Sequence, residues 1–106
     1  MIRRFLRVLR EVPSPVPCRI ERLESERGFR LSGNLDVYSV EAVREALAPE
    51  LHGTLVLDIA AVEFMDDSGL GLLVGFVRRL SQQGGSLVLR NPTDQIRRVF
   101  EVTGLE

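Results

Sequence analysis

Hydrophobic positions along this chain switch repeatedly between an alternating or continuous pattern and a helical one. Cys18 to Glu24 and Phe29 to Ser32 have strand character and are split by the turn-forming stretch Ser25 to Gly28, which predicts a hairpin. From Ser39, a residue type that caps helices, Val40, Val43, Ala46 and Leu47 recur at helical spacing until Pro49 and Gly53 close the segment. Thr54 to Ile59, TLVLDI, is almost continuously apolar, the pattern of a strand buried on both faces. A longer helix is predicted from about Ser68 to Gln83, stopped by Gly84 and Gly85. Ser86 to Leu89 reads as another buried strand, and Thr93 caps a last helix carrying Ile96, Val99 and Phe100 and ending at Gly104. Strands and helices in alternation predict right-handed crossovers and an α/β fold with helices packed on a sheet.

Upstream of these elements the pattern is different. Ile2, Phe5, Leu6 and Leu9 fall at helical spacing with arginines between them, and Pro13, Pro15 and Pro17 follow. Residues 1–17 are therefore expected to be an appended basic amphipathic helix and extended linker, and residues 18–106 the domain. Such a helix can touch a membrane surface, but one this short is marginal alone.

Composition narrows the function classes. With 106 residues, 44% of them hydrophobic, the chain has room for one core. Its 14 basic residues, all arginine, stand against 15 acidic ones, so bulk charge gives no reason to expect nucleic acid as a partner. The single cysteine, Cys18, has no intramolecular disulfide partner and no Cys/His cluster exists for zinc, which fits a reducing, cytoplasmic setting. Arginines interrupt the N-terminal apolar residues, so no signal-peptide core is expected. No stretch reaches the roughly 18 apolar residues of a membrane span.

The chemistry concentrates between Val62 and Gly75, VEFMDDSGLGLLVG. Asp66, Asp67 and Ser68 are all N-cap types and fall where a helix exposes unpaired N–H groups. A capping role alone accounts for them. Two features point further. Leu70, Leu72, Leu73, Val74, Phe76, Val77 and Leu80 span an arc of roughly 200°, about twice what facing a core requires, so part of it is available to a partner. Gly71 and Gly75, four apart on the remaining face, allow another backbone to come close, or else ease packing onto the chain's own sheet.

The ordered set Leu31-Ser-Gly33-Asn-Leu35-Asp36, Leu55-Val-Leu57-Asp58-Ile59, Phe64-Met-Asp66-Asp-Ser68-Gly69-Leu70-Gly71-Leu72-Leu73, Gly84-Gly85 and Val99-Phe100-Glu-Val102-Thr-Gly104-Leu105 resembles the STAS domain family, in particular the bacterial anti-sigma factor antagonists. The resemblance covers about residues 18 to 106. It implies a small mixed β-sheet with helices mainly on one side, and a partner-switching protein. It further implies that Ser68, before the glycine of a D-x-S-G motif whose first aspartate is Asp66, is phosphorylated by a cognate anti-sigma factor acting as a serine kinase with ATP. A PP2C-type phosphatase would restore the serine. The unmodified form would bind the anti-sigma factor through Asp66, Asp67, Gly69, Leu70, Gly71, Leu72 and Gly75, freeing the sigma factor, and phosphorylation would end that binding. Asp67 departs from the family pattern, which commonly has a second Ser or Thr there.

Elementary electrostatics fits such a switch. A phosphate adds about −1.5 to −2 charge, which a helix N-terminus tolerates within its own domain. Across an interface the same charge, beside Asp66, Asp67 and Glu63, costs on the order of several kcal/mol.

A different reading is an accessory STAS subunit of a lipid or anion transporter. Catalysis has less behind it. The one histidine, His52, sits in a predicted loop, and no G-x-S-x-G elbow surrounds Ser68. Turn-forming and capping duties account for Asp36 and Asp58, and no phosphate loop, metal-ligand spacing or dinucleotide fingerprint is present, so neither cofactor nor metal is expected.

Overall fold

The run that opens the hairpin forms strand β1 (Arg19–Arg22), which turns back antiparallel into β2 (Gly28–Leu35). These and the remaining elements belong to a computed structural model that describes residues 17–94 and 96–98. Helix α1 (Val40–Leu47) and a short 3-10 turn (Ala48–Glu50) lead into β3 (Thr54–Met65), followed by helix α2 (Asp67–Gln82) and β4 (Ser86–Arg90). The sheet order is β1-β2-β3-β4, with β3 parallel to both β2 and β4, so α1 and α2 are crossovers. This is the expected small mixed sheet.

Alternation along the strands sorts the two faces. Leu31 and Leu35 of β2 and Leu55, Leu57 and Ile59 of β3 are fully buried, and Val43 and Leu47 of α1 with Leu73 and Leu80 of α2 close over them. Ala46, expected inside, is exposed on the outer side of α1. On the other sheet face Glu21, Arg30, Asp58 and Arg90 stand side by side across all four strands. Arg30 pairs with Asp58 at 3.6 Å, and Arg90 pairs with Glu26 in the hairpin turn.

Three strand expectations change. β2 does not stop at Ser32 but continues through Gly33, whose φ of 90° suits a residue without a Cβ. β3 does not stop at Ile59 but runs six residues further to Met65. Its pairing with β2 slips twice, at Arg30/Ser32 and at Gly33/Asn34, so an apparently broken alternation still serves one strand. β4 is an edge strand among the described residues and Val88 is 40% exposed, so it is not buried on both faces.

Helix α2 ends as its glycines predict: Gly85 N–H donates to Leu80 O (2.8 Å) and Gly84 N–H to Ser81 O (3.0 Å), the paired bonds of a Schellman turn. Thr93 caps the following turn, its hydroxyl accepting from Ile96 N–H, and Ile96 is buried. Val99, Phe100 and Gly104, and the amphipathic residues Ile2 to Leu9, lie outside the described residues. Among the described residues no helix is long and apolar enough to cross a membrane and no group of three potential metal ligands occurs.

Candidate functional site

The parallel strands β2 and β3 end side by side, Leu35 opposite Met65, and the chain leaves each into the N-terminus of a helix. Of the three capping residues in the D-D-S run, Asp66 is the N-cap, because it alone keeps an extended backbone (φ −101°, ψ −173°). Its Oδ1 accepts from Gly69 N–H at 3.0 Å. Its Oδ2 accepts from Val37 N–H at 3.1 Å, reaching across to the loop between β2 and α1. One carboxylate thus ties the start of α2 to a loop 29 residues away in sequence.

That loop is shaped by Asp36 and Ser39. Asp36 Oδ1 accepts from Tyr38 N–H (3.0 Å), while the Asp36 carbonyl accepts from Val40 N–H (3.0 Å). Ser39 does not cap with its side chain; its hydroxyl accepts from Asp36 N–H and donates to Asn34 O at 2.8 Å. The tight turn leaves Val37 and Tyr38 pointing outward, each 57% exposed. Phe64, near the end of β3, is 54% exposed. These three apolar residues beside the cap are absent from the sequence-based site. The available signal was an apolar pair, including the only tyrosine, stranded between a strand end and a helix start.

Ser68 occupies the second position of α2 and is half-buried, with Asp67 exposed before it and Gly69 buried after it. Gly69 is required by contact: a Cβ there would lie 2.2 Å from Leu35 O and 2.9 Å from Met65 Cγ. The absent side chain lets α2 begin directly against the end of β2. Gly71 and Gly75 differ. Both are exposed and a Cβ on either would meet nothing within 4 Å among the described residues, so they do not serve packing onto the chain's own sheet. They follow Ser68 at helical spacing and floor a shallow groove edged by Arg44, Leu51 and Arg79.

The apolar arc of α2 divides as its width implied. Leu72, Leu73, Phe76 and Leu80 are buried, so Leu72 belongs to the core and presents no surface. Leu70, Val74 and Val77 remain half-exposed. Leu70 joins Val62, Met65 and Ile96 as the apolar lining of a cavity of ≈ 220 Å³, with Glu63, Asp66 and Asp67 contributing carboxylates.

The other chemistry-bearing residues have structural duties. Asp58 Oδ1 accepts from Ala60 N–H at 3.0 Å in addition to pairing with Arg30. His52 is exposed in its loop, its Nε2 3.1 Å from Arg27 Nη2. Burial pushes the Cys18 thiol pKa up and the charge of Asp36 adds to the rise, against a backbone hydrogen bond at Ser32 that lowers it.

Comparison with known proteins agrees with this geometry. The STAS domain family model matches residues 19–106. The anti-sigma-B factor antagonist of Bacillus subtilis is 36% identical over 89 residues, 82% of each chain. The structure of the Bacillus cell fate determinant SpoIIAA in its phosphorylated form superposes with a TM-score of 0.69 at 32% identity, covering 83% of this chain and 84% of that one. The anti-sigma factor antagonist SpoIIAA in its unphosphorylated form gives 0.67 at 31%, over 79% and 81%. With a family model spanning every described element, and relatives matched along most of their own length, the chain belongs to the STAS domain family.

Proposed function

We propose that this chain is an anti-sigma factor antagonist switched by phosphorylation of Ser68. Unmodified, it binds a cognate anti-sigma factor and so releases a sigma factor to RNA polymerase. The anti-sigma factor is also a serine kinase: Ser68 Oγ attacks the γ-phosphorus of ATP, the bond to ADP breaks, and the hydroxyl proton is lost to a base or to water. A PP2C-type phosphatase hydrolyses the phosphoserine and resets the cycle. The chain itself is a substrate and a binding surface, not a catalyst, and it works in the cytoplasm with its partners. Asp66, Asp67, Leu70, Gly71 and Gly75 take part in partner binding, joined by Val37, Tyr38 and Phe64, whereas Gly69, expected among them, is buried against Leu35 and serves packing instead.

The observation that carries this reading is the position of Ser68: the head of an exposed glycine stripe, at a helix N-terminus capped by Asp66, beside exposed apolar residues. The location separates folding from binding. Within the domain, added negative charge meets the positive end of α2 and its free N–H groups, an interaction worth about 0.3–1 kcal/mol at an exposed site. In a complex the phosphate would be desolvated beside Asp67 and Asp66, which costs on the order of several kcal/mol. Relatives of this type include one whose structure exists in both phosphorylated and unphosphorylated forms.

The test is intact-mass spectrometry after incubation with ATP and a kinase-type anti-sigma factor from the same genome, with Ser68→Ala as control. One phosphate gained by the wild type alone is the expected result. A stable complex with no phosphate on either protein would refute the switch. In binding assays Ser68→Ala should stay bound and Ser68→Asp should bind poorly; equal affinities would also count against it.

A further inference from the structure

We propose that residues 1–10 of this chain dock into the cavity beside Ser68 and cover it from within the same molecule. The cavity lies between the end of β3, the first turn of α2 and the turn that Thr93 caps. Its floor is apolar, from Val62, Met65, Leu70 and Ile96, and Phe64 exposes more apolar surface at its edge. Its carboxylates are incompletely used. Asp66 is engaged by two backbone N–H groups, but Glu63 and Asp67 are exposed and join no ion pair among the described residues. An occupant must therefore bring apolar side chains and positive charge together.

The segment ahead of β1 has that composition. Ile2, Phe5, Leu6 and Leu9 fall at a spacing that a helix would gather on one face, with Arg3, Arg4, Arg7 and Arg10 between and beside them in the sequence. The route is short. Arg19, the first residue of β1, pairs with Ser32 near the C-terminal end of β2, so Pro17 and Cys18 enter the sheet at the end where Asp66 and Ser68 sit. From β1 to β3 is two strand spacings, about 10 Å. Residues 11–16 can span up to about 20 Å when extended, enough to carry residues 1–10 to the cavity. The sheet face that carries no helix among the described residues is the poorer host, because most of its row of charges is already matched, Arg30 with Asp58 and Arg90 with Glu26, which leaves Glu21 alone to meet an arginine. The consequence for switching rests on the function proposed above: a docked segment lies beside Ser68 and competes with whatever binds there.

The docking needs no partner to be seen, so its failure and the failure of the switch are separately readable. Backbone amide NMR spectra of the full chain would be compared with those of a charge-reversed variant, Arg3→Glu with Arg7→Glu and Arg10→Glu, and of an apolar variant, Phe5→Ala with Leu9→Ala. The expected result is shift changes at Glu63, Asp67, Leu70 and Ile96 in both variants, reproduced in wild type as salt screens the charges, with Arg30 and Val88 unmoved. Changes confined to residues 1–16, or centred on that charged sheet face, would overturn the proposal. So would an unchanged cavity combined with co-sedimentation of wild type, but not the charge-reversed variant, on phosphatidylcholine vesicles containing a minority of phosphatidylglycerol, which would assign the segment to a lipid surface.

Discussion

The three glycines at the head of α2 should answer the same substitution with opposite signs. In Gly69→Ala the new methyl would stand 2.2 Å from Leu35 O, and a backbone carbonyl in a paired strand has nowhere to retreat. The start of α2 must move off the end of β2, which strains the two hydrogen bonds that Asp66 makes to Gly69 and Val37. Overpacking of this kind typically costs about 1–3 kcal/mol. In a domain of this size each kcal/mol lowers Tm by roughly 4–8 °C. Gly71→Ala and Gly75→Ala add a methyl to open space. An alanine inside a helix is favoured over glycine by about 0.5–1 kcal/mol, so both should raise Tm by a few degrees. Thermal and urea unfolding followed by circular dichroism would measure all three. A Gly71→Ala protein as destabilised as Gly69→Ala would refute the outward orientation of the glycine stripe. If that stripe meets the partner, Gly71→Ala and Gly75→Ala should weaken binding while stabilising the fold, a combination that damage to the core cannot produce.

Asp66→Ala removes an N-cap worth about 0.5–2 kcal/mol and also the bond that holds the β2–α1 loop, so hydrogen exchange should quicken at both Gly69 and Val37; quickening at Gly69 alone would mean that the loop is held by other contacts. The hydrogen bond from Arg90, with its charge, lowers the pKa of Glu26 below its ordinary value. A depressed carboxylate pKa means the pair's contribution is present at neutral pH and is lost as pH falls through the folded value, so Glu26→Gln should flatten the acid limb of the stability profile. An ordinary Glu26 titration by NMR would refute this. Cys18, its thiol pKa raised by burial first and by Asp36 second, should react with a disulfide reagent more slowly at mildly alkaline pH than a free thiol, and Asp36→Asn should narrow the gap.

Much of the site follows from local sequence alone. A helix beginning in D-D-S and ending at Gly84-Gly85 can be read without its surroundings, because capping and left-handed termination depend on residues within a few positions of each other. That placed Ser68 in the first turn of α2. The excess width of the apolar arc was legible in the same way, and its half-exposed flank is Leu70, Val74 and Val77. Tertiary structure decided which of the three polar residues would be the cap, since Asp66 is held extended at the end of a strand that sequence ended at Ile59. The lengths of β2 and β3 depend on bulges, and a bulge restores alternation only relative to a partner strand, which no single segment encodes. The exposure of Val88 depends on β4 being an edge in the described sheet, and the outward glycines depend on which side of α2 the sheet lies. Val37 and Tyr38 reached the site through a hydrogen bond between residues 29 apart. Periodicity and capping act over a few residues and are written in the order of the chain, whereas faces, edges and the meeting of two loops exist only once the strands have paired.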